Sequence, residues 1–139
     1  MNITGSCHCG SIQYSAEIDP SQVTVCHCTD CQTLSGSAFR VNATAPAGSF
    51  KLTRGQPKTY LKTAESGAKR SHAFCADCGT PIYSVAPVDP VVMFLRIGAI
   101  HQRQSLRPTK QIWCRSAVDW TRDVESLPGS PEQQALVVK

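Results

Sequence analysis

The sequence contains no segment of the kind that enters or crosses a membrane. Its longest apolar run, residues 91–95, is far shorter than the roughly 20 apolar residues that a membrane-spanning helix needs. The first residues, Met-Asn-Ile-Thr-Gly-Ser, contain neither the basic segment nor the apolar segment of a signal peptide. We therefore expect a cytoplasmic protein without a membrane partner.

Long runs of like charge are also missing. The 14 Lys and Arg residues are scattered among 10 Asp and Glu residues, and no five like charges follow one another. Proteins that bind nucleic acid usually concentrate basic residues in one run or on one face. This distribution argues against nucleic acid as a partner and leaves the oligomeric state open.

The length of the chain limits it to one domain. With 139 residues, of which 41% are hydrophobic, it can form one core of ordinary size but not two. Ser, Pro, Gly and Gln predominate over residues 126–134. We predict a single domain over residues 1–125 and a C-terminal tail over residues 126–139, in which residues 135–138 could add a short strand.

Short runs typical of β-strands alternate with turn signals along the chain. β-Branched and aromatic residues recur in brief runs separated by Gly and Pro, which is the pattern of an all-β domain with little helix. The predicted strands are 12–18, 23–25, 38–41, 50–53, 59–63, 71–74, 82–85, 91–97 and 111–118. The run 91–97 is the most apolar and is predicted to be the central strand, whereas residues 42–49 have the composition of a loop. A short helix after Cys28 or near Pro131 stays open.

The chain is rich in cysteine, with eight residues, of which seven fall in three clusters. Thiols stay reduced in the cytoplasm, so clustered cysteines there indicate metal ligands. The clusters are Cys7 and Cys9 (Cys-x-Cys), Cys26, Cys28 and Cys31 (Cys-x-Cys-x-x-Cys), and Cys75 and Cys78 (Cys-x-x-Cys). The eighth cysteine, Cys114, lies in a predicted strand.

These spacings suit zinc, which takes four ligands in structural sites and three protein ligands in catalytic ones. A Cys-x-x-Cys turn delivers two sulfurs, and a Cys-x-Cys pair in extended chain points both side chains one way because side chains alternate along a strand. The closed structural zinc is assigned to Cys7, Cys9, Cys75 and Cys78. The second zinc, with an open position, is assigned to Cys26, Cys28 and Cys31. Two zinc ions per chain follow, although the spacing alone also allows the three-cysteine group to share ligands with either pair.

Three other uses of these cysteines stay open. A disulfide framework would need an oxidising compartment, which the first residues do not indicate. Closure of the second site by Cys114 would leave two structural zincs, although a lone cysteine in a strand is more often a small buried residue. A Cys-x-x-Cys pair could also carry out thiol–disulfide chemistry, and fewer than two metal ions would then be bound.

Few other residues point to a role. The middle residue of a Cys-x-Cys segment faces away from the metal, so His8 and His27 are expected at the surface or behind the ligands. Proton transfer by His27 is the alternative. The cations that could bind substrate carboxylates are Arg40, Lys69, Arg70 and Arg96. Such side chains are usually solvated surface, so the substrate-binding residues stay unknown.

The motifs resemble those of the glutathione-dependent formaldehyde-activating enzymes, a family whose domain is shared with centromere protein V. The resemblance covers residues 4–120 and rests on Gly-Ser-Cys-His-Cys-Gly at 5–10, Cys-His-Cys-Thr-Asp-Cys-Gln at 26–32, Ser-Gly-Ser-Ala-Phe at 35–39, Phe-Cys-Ala-Asp-Cys-Gly-Thr-Pro-Ile at 74–82, Arg-Ile-Gly at 96–98, Gln-Ile-Trp at 111–113 and Trp120. It implies an all-β, zinc-stapled β-tent of short antiparallel sheets with the same division of the seven cysteines. It also implies condensation of glutathione with formaldehyde to S-hydroxymethylglutathione, a carbon–sulfur lyase reaction run in reverse.

Two functions therefore compete. The first is a zinc-dependent carbon–sulfur lyase acting on a thiol adduct, with glutathione as its small-molecule partner and the zinc on Cys26, Cys28 and Cys31 as its catalytic centre. The second is a non-catalytic, zinc-stabilised module that binds protein or nucleic acid. The position of Cys114 bears on the choice, because a fourth thiolate would close the second site.

Overall fold

The computed structural model describes residues 1–134, which form two β-sheets and one short α-helix. The strands are Asn2–Ser6 (β1), Gln13–Glu17 (β2), Val23–Cys26 (β3), Arg40–Pro46 (β4), Lys51–Arg54 (β5), Lys58–Thr63 (β6), Lys69–Phe74 (β7), Pro81–Val85 (β8), Val92–Arg96 (β9) and Lys110–Ile112 (β10). The helix, α1, covers Thr29–Ser35. The all-β class predicted from the sequence is confirmed. No helix within residues 1–134 has the length and apolar character needed to cross a membrane.

The strands divide into a three-stranded and a seven-stranded sheet. Their orders are β1-β2-β5 and β10-β3-β4-β9-β8-β7-β6. Neighbouring strands are antiparallel, except that β10 runs parallel to β3. The most apolar run of the sequence forms β9, the fourth of seven strands, so the prediction of a central strand is confirmed. Strands on both sides hydrogen-bond to β9, and its Met93 and Leu95 are buried in the core.

Side chains from both sheets build one hydrophobic core. Tyr14 of β2 is 1% exposed and stacks on Phe50 with ring centroids 5.2 Å apart, and Phe50 meets Tyr83 of β8 edge-on at 5.0 Å. Ile3 of β1 and Leu95 of β9 are buried in the same cluster. Full burial of such a side chain contributes about 1.5–3 kcal/mol, so this core holds the two sheets together.

The composition of residues 42–49 predicts a loop, but residues 42–46 belong to strand β4. Ala43 and Ala45 are fully buried in the core, and they alternate with the half-buried Asn42 and Thr44. The prediction is wrong because β-propensity depends on packing more than on the residues themselves. Here β3 and β9 pair with β4 along its two edges.

A strand over residues 111–118 is also wrong beyond Ile112, where β10 ends. Trp113 adopts the left-handed conformation (φ 58), which interrupts the extended chain, and Cys114–Ser116 forms a 3-10 turn. Cys114 is consequently exposed, rather than a small buried residue of a strand. Strand β1 was not expected, because its residues, Asn-Ile-Thr-Gly-Ser, contain a single apolar side chain.

The remaining expectations concern helices and the tail. Helix α1 follows Cys28, one of the two places left open for a helix, whereas no helix forms near Pro131 within residues 1–134. A 3-10 turn, Val124–Ser126, lies where the tail was predicted to begin. The boundary at residue 125 stays a prediction, and the strand suggested for residues 135–138 lies outside the described residues.

Candidate metal centre

Four cysteines meet where two hairpins from different sheets approach each other. The Sγ atoms of this four-cysteine cluster, Cys7, Cys9, Cys75 and Cys78, all lie within 4.8 Å of one another. The Cys7–Cys9 and Cys9–Cys75 sulfur distances are 3.5 and 3.8 Å. A tetrahedral zinc with Zn–S bonds of about 2.3 Å separates its sulfurs by roughly 3.8 Å. The four sulfurs could therefore hold a metal ion, and their number and spacing fit zinc.

Each pair of this cluster occupies a hairpin turn. Gly10, in the turn between β1 and β2, has φ 79 and donates its N–H to the Cys7 carbonyl at 3.1 Å. Gly79, between β7 and β8, has φ 75 and donates to the Cys75 carbonyl at 2.9 Å. Glycine adopts this positive φ readily. A turn, rather than the extended segment expected from the Cys-x-Cys spacing, thus brings Cys7 and Cys9 together.

The four-cysteine cluster lies between the two sheets. The β1–β2 hairpin belongs to the three-stranded sheet, and the β7–β8 hairpin to the seven-stranded sheet. The backbone N–H of His8 also donates to Thr80 Oγ1 across the two turns at 3.1 Å. A metal ion on these cysteines would cross-link the two sheets.

Neighbouring hydroxyl groups favour the thiolate form of two of these cysteines. Ser11 Oγ lies 3.1 Å from Cys9 Sγ and lowers the pKa of that thiol. Thr80 Oγ1 lies 3.1 Å from Cys78 Sγ and lowers the pKa of Cys78 to about 5. The thiolate is the form that binds metal, so both contacts prepare the cluster for a cation.

The second group, which we call the tripod, consists of Cys26, Cys28 and Cys31, with Sγ atoms within 4.8 Å of one another. Cys26 ends strand β3, and Cys28 is the N-cap of α1, where its Sγ accepts the N–H of Cys31 at 3.3 Å. Gly36, in the left-handed conformation, ends the helix. The end of a strand and the first turn of a helix therefore hold the three sulfurs on a short segment.

Within the tripod, a protonated thiol donates a hydrogen bond to a neighbouring thiolate. The Cys31 thiol lowers the pKa of Cys26 to about 5, and the same contact with Cys26 raises the pKa of Cys31. Three thiolates at this distance need a cation to be stable together. The tripod, too, could hold a metal ion.

Cys114 joins neither group. It is exposed, and among residues 1–134 no fourth cysteine, histidine or carboxylate ligand atom lies within 4.8 Å of all three tripod sulfurs. The arrangement that would close the second site with Cys114 is therefore not found. Three protein ligands with an open position are the pattern of a catalytic zinc.

His27 lies behind the tripod rather than on the surface. It is 4% exposed, its Nε2 donates to Gln111 Oε1 at 2.8 Å, and its ring meets the edge of Phe39 at 5.7 Å. Its Nδ1 is buried without a hydrogen-bond partner among the described residues. His8 is exposed, which agrees with the surface placement expected for it.

Two glutamines that the sequence did not mark as site residues support this region. Gln111 holds His27, and the side-chain amide of Gln32 donates to the carbonyls of His27 and Ser116 at 2.8 and 2.9 Å. These bonds tie α1 to the segment after β10. Only their places in the family motifs could have drawn attention to them, because glutamine has no chemistry that singles it out.

The four candidate cations separate into two buried and two peripheral residues. Arg40 and Arg96 are 5% and 7% exposed, whereas Lys69 is exposed and Arg70 half-buried. Burial lowers the pKa of both arginines, and burial together with the charge of Arg40 brings that of Arg96 to about 9. The expectation of solvated surface residues is therefore wrong for Arg40 and Arg96.

Three cavities surround these groups. Arg40, Arg96 and Pro81 line two of them, of about 590 and 420 Å³. A third, of about 300 Å³, opens beside Cys28 and is bordered by Trp113. The Arg115 guanidinium lies over the Trp113 ring, 5.0 Å from its centroid. Small-molecule sites usually have volumes of roughly 300–1,000 Å³, so each could admit a small substrate.

The family model described as glutathione-dependent formaldehyde-activating enzyme matches residues 2–116. This range contains all seven clustered cysteines and both buried arginines. The chain belongs to the glutathione-dependent formaldehyde-activating enzyme family. The resemblance seen in the sequence motifs is confirmed, and the family is associated with enzymatic activation of formaldehyde.

A solved structure of a Rhodobacter sphaeroides protein, a structural-genomics target, has a similar fold. It is 20% identical, with a TM-score of 0.60, and the match covers 78% of this chain and 98% of that one. At this identity the likeness concerns the fold alone. No curated protein matches the chain.

Proposed function

We propose that this protein is a zinc-dependent carbon–sulfur lyase that forms S-hydroxymethylglutathione from glutathione and formaldehyde. The observation that carries the proposal is the tripod, which has three thiol ligands and no fourth within reach among residues 1–134. Membership of the family supports the choice of thiol and aldehyde.

The reaction requires a nucleophilic sulfur and a place for one proton. The glutathione sulfur forms a bond to the formaldehyde carbon, the carbonyl π electrons move to oxygen, and the proton released by the thiol ends on that oxygen. Cys26, Cys28 and Cys31 would hold a zinc ion, which would supply Lewis acidity at its open position and would lower the pKa of a thiol bound there. The reverse reaction releases formaldehyde by the same path.

Protein groups around the tripod have separable roles in this proposal. Cys28 lines the cavity that Trp113 borders, so a substrate in that cavity could contact one of the three tripod sulfurs. Nε2 of His27 is committed to Gln111, and only Nδ1 could accept a proton. We therefore keep His27 as a candidate for proton transfer at Nδ1. Its Gln111 contact would set the orientation of the ring.

For the four-cysteine cluster we propose a structural zinc. All four of its ligand positions are filled by cysteines, which leaves none for a substrate, and its two turns come from different sheets. The chain would then bind two zinc ions, a structural one that cross-links the sheets and a catalytic one at the tripod.

Exchange NMR tests the reaction, because it measures interconversion of glutathione, formaldehyde and their adduct at equilibrium. Metal-loaded wild-type protein should accelerate the exchange, and Cys28→Ser should lower the acceleration by at least a hundredfold. Cys114→Ser is the matched control, since it removes an exposed thiol outside both groups, and it should keep the wild-type rate.

The same preparations separate the alternatives. Two zinc ions per chain with no acceleration for glutathione or other thiols would overturn the lyase and favour the binding module. Fewer than two metal ions together with a reducible disulfide would favour thiol–disulfide chemistry. A salt-dependent shift of a DNA or RNA probe would support the nucleic-acid version of the binding module.

A further inference from the structure

Arg40 and Arg96 form a buried cationic pair with which no carboxylate of the described residues pairs. They are 5% and 7% exposed. Within residues 1–134 neither guanidinium pairs with a carboxylate, and Arg40 Nη1 and Arg96 Nε are buried without a hydrogen-bond partner. A buried charge without a partner destabilises the fold. Such groups are typical of sites that a ligand completes.

The contacts that Arg96 does make are with neutral groups. Its Nη1 donates to Asn42 Oδ1, and its Nη2 lies 3.1 Å from His72 Nδ1. Burial and the neighbouring Arg96 lower the pKa of His72 to about 4, so this histidine is uncharged at neutral pH. Both contacts hold the guanidinium in place without neutralising it.

The strand register places the pair on one face of the seven-stranded sheet. Asn42 lies opposite Arg96 on the adjacent strand, and Arg40 lies two residues before Asn42 on β4. Residues two apart on a strand project from the same face. The two guanidinium groups also border both cavities, of about 590 and 420 Å³, so a ligand in either cavity can reach them.

The pair also lies beside the tripod. Arg40 is directly opposite Cys26 across β3 and β4, where opposed Cα atoms are about 4.5–5.5 Å apart. Burial is the main cause of the lowered pKa of Arg40, and the three tripod thiols act against it. The side chains of Cys26 and Arg40 project from the same face of the sheet as neighbours, so a short peptide thiol whose sulfur reaches the tripod from this face could bring a carboxylate to the arginines.

We infer that Arg40 and Arg96 together bind a carboxylate of the thiol substrate, so that the enzyme selects anionic thiols over neutral ones. The identity of the thiol rests on the proposed function, whereas the carboxylate site rests on the buried pair itself. Guanidinium groups match the two oxygens of a carboxylate. A dianion such as phosphate fits less well, because the tripod thiolates beside Arg40 repel the second charge.

Calorimetric titration of metal-loaded protein with S-methylglutathione tests this inference. The ligand keeps both carboxylates of glutathione but cannot form the adduct, so its binding does not depend on turnover. Arg40→Met and Arg96→Met should each raise Kd at least tenfold. Arg40→Lys keeps the positive charge but not the paired N–H donors of the guanidinium, so its Kd should lie between those of the wild type and Arg40→Met. Arg54→Met, an exposed arginine of the other sheet, should keep the wild-type Kd.

A second readout distinguishes ligand binding from a structural role. Without ligand, Arg40→Met should keep its tripod metal and unfold in a single thermal transition at a temperature close to that of the wild type, so that a raised Kd reports loss of the guanidinium and not of the fold. A lower melting temperature with unchanged Kd would overturn the inference, as would loss of tripod metal with unchanged Kd. Wild-type protein that binds neither S-methylglutathione nor acetate, or binds phosphate more tightly, would also overturn it.

The two proposals can fail separately. Arginine-dependent binding of S-methylglutathione without exchange activity keeps the carboxylate site and overturns the lyase. Exchange activity that is equal for glutathione and cysteamine, and unaffected by Arg40→Met, keeps the lyase and overturns the carboxylate site.

Discussion

Cys26 and Arg40 lie directly opposite each other on the antiparallel strands β3 and β4. The chain leaves the sheet at Cys26, forms the rest of the tripod and helix α1, and re-enters the sheet at Arg40. Opposed residues project from the same face of a sheet. The hydrogen bonds of the sheet therefore hold Cys26, the only tripod residue on a strand, next to Arg40.

The four-cysteine cluster should contribute strongly to stability. We expect Cys75→Ser to lose one of two metal ions and to lower the free energy of unfolding by roughly 4 kcal/mol or more, a cost typical of losing a structural metal. Urea unfolding and metal analysis on the same samples measure both effects. Cys114→Ser, at an exposed site, should change stability by no more than about 0.5 kcal/mol. Equal stability of the two variants would contradict a cross-link between the sheets.

The contact between His27 and Gln111 should be visible in a double-mutant cycle. Gln111→Met leaves the buried Nε2–H of His27 without its acceptor, which costs about 1–3 kcal/mol. His27→Leu combined with Gln111→Met should cost less than the sum of the single changes, because the double variant contains neither polar partner. Additive free energies of unfolding would mean that the pair is not coupled.

His72 should make the stability of the protein depend on pH. Burial is the main cause that lowers its pKa from 6.5 to about 4, and Arg96 adds to it. Between these pH values the unfolded chain binds more protons than the native one, so the free energy of unfolding falls as pH falls through this window. In His72→Gln the decline between pH 6.5 and 4 should be less steep. Metal content measured at each pH separates this effect from loss of zinc, and identical slopes would contradict the prediction.

Gly5 should be intolerant of any side chain. A Cβ at this position would collide with the ring and hydroxyl of Tyr14 and meet the Ala99 carbonyl at 2.5 Å. Tyr14 is fully buried and cannot move aside, so Gly5→Ala should destabilise the fold by about 3 kcal/mol or more. Gly48→Ala is the matched control, since nothing lies within 4 Å of its Cβ position. A melting temperature of Gly5→Ala within a degree of that control would show that β1 and β2 can separate without cost.

The amino-acid sequence alone predicted those features that depend on residue type and local spacing. The all-β class, the central strand β9 and the grouping of seven cysteines follow from alternation, apolar content and the short distances between ligands along the chain. The three tripod residues lie within six positions, so their proximity needs no knowledge of the fold. The pairing of Cys7 and Cys9 with Cys75 and Cys78 was an assignment, because spacing alone left it open.

Only the tertiary structure decided what depends on partners far apart in the chain. It paired β4 with β3 and β9, which made a strand of a segment with loop composition, and it left Cys114 exposed after the left-handed Trp113. It also buried Arg40 and Arg96 together, 56 positions apart. From the sequence alone, an arginine is expected at the surface because its charge is costly to bury. Whether that cost is accepted depends on cavities and neighbours, which exist only once the sheets have formed.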